Sequence, residues 1–257
     1  MARAVGKNIY LQGERVDILY DTKLLEFRSM SISRFAAVHR FVRDHLVYPL
    51  ALSTLLCAIL ISARVAVSSS RNYGFLVWNL FLAWLPYFFA LWIVVLRRRR
   101  PGRRAGVIVL GVLWVLFLPN APYIMTDFGH LLHYRPFPLM YDVVLIFAFA
   151  WTGLLLGLVS LHLLEVEVRR AWGRVAGGAF VVGSAMLTGA GIYLGRFLRW
   201  NSWDVIHRPG ELLAAVAEAV LHPLGHTSAI AHSLTFTTVV LLCHLTFVAL
   251  RQSDRTE

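Results

Sequence analysis

Apolar residues run along this chain in long blocks, not at the three-to-four spacing of a surface helix or the alternation of a strand. Five blocks are nearly free of charge: Tyr48 to Val67, Gly74 to Leu96, Leu139 to His162, Val175 to Gly195 and Ala229 to Leu250. Each approaches the ~20 residues that a helix needs to cross a hydrocarbon core about 30 Å thick. A sixth block, Ala105 to Leu118, has only 14 residues, and at about 1.5 Å per residue it reaches roughly 21 Å. It crosses if Arg103 and Arg104 snorkel at one end and the helix continues past Pro119, which membrane helices tolerate. A re-entrant segment is the alternative. The pattern predicts an all-α integral membrane protein with about six transmembrane helices across residues 48–250, and an interfacial amphipathic helix on each of two polar connections.

The flanks complete the division. Residues 1–47 form a cytoplasmic tail ending in a juxtamembrane helix, where Phe35, Val38, Val42 and Leu46 recur at helical spacing while Arg34, Arg40, Arg43 and Asp44 face elsewhere. Residues 251–257 are a short cytoplasmic tail. No cleavable signal peptide is apparent, because about 45 mixed residues precede the first apolar block, so the first helix is expected to direct insertion itself.

Composition agrees with a lipid solvent: 58% of the 257 residues are hydrophobic and 15% charged, against about 25% charged in an average soluble domain. The net charge of +11 suggests nucleic acid until its placement is considered. Lys and Arg flank the apolar blocks. With six crossings and a cytoplasmic N-terminus, 19 lie inside and 6 outside, as the positive-inside rule requires. If the short block does not cross, the division is 18 to 7, so charge supports the N-terminal orientation without deciding the number of spans. The run Arg97 to Arg104 reads as a stop-transfer turn that contacts anionic lipid; without aromatic interleaving it gives no nucleic-acid site. Cys57 and Cys243 both lie in apolar blocks, so no disulfide framework or zinc-knuckle spacing exists. The expected setting is a bacterial plasma membrane. Gly191 and Gly195 allow a neighbouring helix to approach closely.

Unusual polar residues gather in two connections, Asn120 to Pro138 and Arg196 to Ser228. Two strong blocks separate them, so they share one membrane face, extracytoplasmic if six blocks cross. In the first connection Asn120 is placed as a helix N-cap with Pro122 in the first turn. At 100° per residue, Tyr123, Asp127, His130 and Tyr134 form one stripe, opposite Ile124, Phe128, Leu131 and Leu132. Tyr141 and Asp142 follow at the mouth of the next block. In the second connection Arg196 and Arg199 share a face, Asn201 and Asp204 follow, and Glu211 to Leu221 is amphipathic. Arginine here runs against the charge bias, which implies a partner: lipid phosphate, an anionic ligand, or Asp127, Asp142 or Asp204. Snorkelling beside Trp200 and Trp203 is the bland alternative.

The stretches Leu118-Pro119-Asn120-Ala121-Pro122-Tyr123, Thr126-Asp127, His130-Leu131, Tyr141-Asp142 and Gly191 through Asp204 resemble the bacterial membrane family called domain of unknown function 1361. The likeness covers roughly residues 75 to 250. It implies a polytopic bacterial membrane protein and brings no established activity. His207 and the N-terminal tail fall outside the family pattern.

Three functions remain in competition. In the first, an extracytoplasmic site made by Asn120, Tyr123, Asp127, His130, Asp142, Arg196, Arg199, Asn201 and Asp204 binds an anionic lipid headgroup or small anion, since guanidinium forks suit phosphate and carboxylate. In the second, a membrane-embedded enzyme acts on a lipid or lipid-linked substrate. Asp127 with His130 and Asp204 with His207 could then hold a metal ion, although the spacing is common and no metal or cofactor is assigned. In the third, the polar residues only lock helices together. No acidic or basic residue is expected near the middle of a span, which argues against an ion-coupled carrier.

Overall fold

The computed structural model describes residues 39, 42–43, 45–68, 72–100, 102–132, 138–200, 204–211, 214, 217–218 and 227–253. The expected N-terminal tail, most of the juxtamembrane helix and of the Glu211 to Leu221 stretch, Asn201, and the side chain of His130 lie outside the described residues. Residues from Met1 to Val47 and from Tyr48 to Glu257 form two compact units, and the helical architecture below is that of the second.

Among the described residues every element is helical. Five helices carry the architecture: α1 (Val47–Ser68), α2 (Gly74–Arg99), α3 (Arg104–Phe117), α4 (Leu139–Arg196) and α5 (Thr227–Ser253). Five segments are long and apolar enough to cross a membrane: α1, α2, the stretch Arg104–Gly129 that begins with α3, α4, and α5. The outer surface is oily, with Leu52, Ile59, Phe81, Trp92, Ile108 and Phe147 all more than half exposed. So much apolar surface in contact with the surroundings suits lipid rather than water.

The short apolar block does continue past Pro119. Leu118 and Pro119 both keep right-handed helical angles, and the N–H groups of Ala121 and Tyr123 reach back to the Leu118 and Pro119 carbonyls at 3.1 Å. A further turn, Asn120–Tyr123, leads into a 3-10 helix over Ile124–Leu132. Proline lacks an N–H and restricts the residue before it, yet here it sits where the helix is already tightening.

α4 contains two of the expected spans. Its chain breaks helical geometry only at Gly173, where φ is 87° and ψ 177°, a region that glycine enters without steric cost. The apolar block ending at His162 continues as helix through Glu165, Glu167 and Arg169 to this break. The two arms fold back on each other: Ser160 before the break and Phe180 after it both meet Trp114, while Gly157 and Gly191 both pack against the 119–122 turn.

Lipid tails are as apolar as leucine, so helices in a membrane associate through close packing and polar contacts rather than hydrophobic driving force. The glycines supply the first. Gly191 faces Pro119 and Gly195 faces Tyr123, so both members of the anticipated pair admit the same turn, while Gly153 and Gly157 admit Ala121 from the other arm. A core of Ala90, Ile93, Trp114, Leu118, Leu161, Leu164, Val181, Ala185 and Val240 then joins α2, α3, both arms of α4 and α5.

Candidate functional site

Polar side chains concentrate at two ends of this bundle: the end carrying residues 119–132 and 196–200, called the motif end, and the opposite Gly173 end. At the motif end the 3-10 helix turns Asp127 inward, and its carboxylate is 1% exposed. It accepts a hydrogen bond from Asn79 Nδ2 at 2.9 Å and pairs with Arg196 Nη1 at 3.4 Å. Three elements thus meet at one carboxylate: α2, the 3-10 helix and the end of α4. The stripe expected at 100° per residue is altered here. A 3-10 helix advances about 120° per residue, so positions three apart eclipse. Ile124 and Asp127, expected on opposite sides, are both buried.

Asn120 is the first residue of its helical turn rather than its cap, and its Nδ2 donates to the Phe117 carbonyl at 3.1 Å. Tyr123 packs beside Gly195. Asp142 takes a different partner. Arg64 from α1 grips it with Nε at 2.6 Å and Nη2 at 3.2 Å, and Tyr73 donates its hydroxyl at 3.1 Å. Both charged side chains of this pair are almost completely buried. Asp204 pairs with Arg208 at 3.4 Å, whose guanidinium also lies over the Trp200 ring. His207 is exposed. The structure therefore joins Asp127 to Arg196, and gives Asp142 and Asp204 to arginines that were not among the candidate residues. Arg199 is exposed, has a left-handed φ of 56°, and has no carboxylate partner among the described residues.

A family model described as Protein of unknown function (DUF1361) matches residues 78–243, more than half of the chain. The chain belongs to this family. No curated protein and no solved structure matches it. Asn79, Asp127, Asp142 and Arg196 fall within the matched stretch of DUF1361, whereas Arg64 precedes it and His244 follows its last residue.

The Gly173 end holds a second polar group that was not among the candidates. Glu165, buried in the first arm of α4, places Oε2 at 3.4 Å from His162 Nδ1 and 3.1 Å from His244 Nε2 of α5, and Oε1 at 3.2 Å from Arg169. Glu167 pairs with Arg97 of α2 at 3.5 Å and with Arg170 at 3.0 Å. Beside these lies a cavity of about 420 Å³ whose walls include His162, Arg169, Arg170, Arg174 and Arg251. The sequence did carry a signal for these groups. A lone arginine near the end of an apolar block, or two glutamates two residues apart beyond one, requires a partner in a medium that solvates ions poorly.

Proposed function

We propose that this member of DUF1361 is a six-crossing protein of a bacterial plasma membrane, with cytoplasmic termini, whose motif end faces outward and recognises an anionic group. The observation that carries this reading is the distribution of charge at that end. Among the described residues there, Arg64, Arg196 and Arg208 each have a carboxylate partner, while Arg199 is exposed and has none. An uncompensated arginine on the face where basic residues are disfavoured suits a phosphate or carboxylate, with which a guanidinium forms paired, charge-assisted hydrogen bonds. Arg196, three residues earlier and held by Asp127, lends a second cationic group; the helix ends at Arg196 and Arg199 turns into a left-handed conformation, so the two do not share a helical face as their spacing suggested. The break at Gly173, with contacts that fold the two arms back on each other, supports two crossings within α4, and the continuation past Pro119 supports a further one.

The test uses purified protein in nanodiscs. Arg199→Ala is expected to weaken retention of phosphatidylglycerol over phosphatidylcholine by at least about tenfold, as the loss of one charge-assisted contact implies, with insertion unchanged. Native mass spectrometry reads which lipid or small anion remains bound. Equal retention by wild type and variant sinks the reading.

A second reading has its own observation. The Arg64–Asp142 and Asp127–Arg196 pairs, with Asn79 on Asp127, connect α1, α2, the 3-10 helix and both arms of α4 by direct contacts, which is how a purely structural lock is built.

A further inference from the structure

We propose that His162, Glu165 and His244 form a binding site for a divalent transition-metal ion, zinc by its ligand set, and that the ion's remaining coordination position takes a phosphate-type anion from the adjoining arginine-lined cavity.

Three observations converge on this site. His162, Glu165 and His244 each offer one donor atom, and these atoms all lie within 4.8 Å of one another. The two contacts to Oε2, at 3.4 and 3.1 Å, match the edge of a tetrahedron with metal–ligand bonds of 2.0–2.1 Å, which is about 3.3 Å. Two imidazoles and one carboxylate leave a fourth position open, the arrangement in which zinc holds water or a substrate.

The surroundings also fit. His244 is 2% exposed and Glu165 7%, and α5 and the first arm of α4 supply them from two packed helices, so little ordering is left for binding to impose. Arg169 holds the other carboxylate oxygen, Oε1, leaving Oε2 for the ion, as supporting partners commonly do for metal ligands.

The cavity's lining favours one class of fourth ligand. It shares His162 and Arg169 with the cluster and adds Arg170, Arg174 and Arg251. Its basic walls suit a phosphate-type anion and repel a cationic ligand.

The experiment loads the full-length protein in nanodiscs with Co²⁺, whose visible absorption reports tetrahedral coordination. One equivalent with an intense visible band is expected, and inorganic phosphate should shift that band. His162→Ala should weaken binding by more than the roughly 10–100-fold that accompanies loss of a supporting partner. If that variant does not fold, Glu165→Gln, which preserves side-chain shape, makes the same discrimination. His207→Ala/His232→Ala, removing two histidines elsewhere, should leave the band intact. Arg174→Ala should keep the cobalt band and blunt its response to phosphate. No tetrahedral band in the wild type, or a band that survives both His162→Ala and Glu165→Gln, overturns the metal site; a band insensitive to phosphate overturns the anion.

Discussion

At the scale of single residues, the most demanding interaction is the buried pair of Arg64 and Asp142. Removing one partner leaves the other charge uncompensated in a medium that cannot hydrate it, a loss of about 3–5 kcal/mol. Arg64→Ala or Asp142→Ala should therefore lower the thermal unfolding midpoint sharply, while the double replacement Arg64→Met/Asp142→Leu should recover most of the loss. A double variant as unstable as the single ones would refute this account. Asp142 was legible in the sequence as a polar residue at a helix mouth, but its partner was not. Arg64 sits 78 positions away, and spacing along one helix says nothing about pairings between helices. Glu165 was passed over for a related reason: its helix runs on past the apolar block, so hydropathy placed the glutamate outside while the fold buries it.

Among the elements, apolar block length proved a sound guide to helices, because crossing a bilayer imposes a minimum on it. It could not place Gly173 as the single break in α4, since that depends on a φ of 87° and not on hydropathy. Nor did an ideal helical wheel place Asp127, because a 3-10 twist carries it to the buried side. The glycine pair was more informative. Its spacing indicated a close neighbour, and the neighbour is the turn around Pro119 and Tyr123. Gly191→Leu would push a branched side chain into Pro119, and overpacking of this kind costs roughly 1–3 kcal/mol. Thermal unfolding should show that loss, whereas Gly178→Leu, where an added Cβ meets nothing, should be tolerated. Equal sensitivity at the two positions would contradict the packing described.

For the whole molecule, six crossings make a topological prediction. In a background lacking Cys57 and Cys243, a cysteine at Trp172 should react with a membrane-impermeant thiol reagent only from the cytoplasmic side, and one at Leu198 only from outside. Both residues are exposed, so access to the thiol is not limiting. Labelling of both from the same side would remove the proposed topology and with it the outward placement of Arg199.

One pairing of helices constrains how such a molecule moves. α2 runs parallel to the first arm of α4 and is pinned to it at both ends, by Tyr73 on Asp142 and by Arg97 on Glu167. The two pins stand about 36 Å apart at the rise of an α-helix. A piston stroke of either helix along its axis by one turn of ~5.4 Å would strain both pins at once. Sliding is therefore the motion this pair resists, whereas tilt or rotation of the two helices together leaves both pins in place.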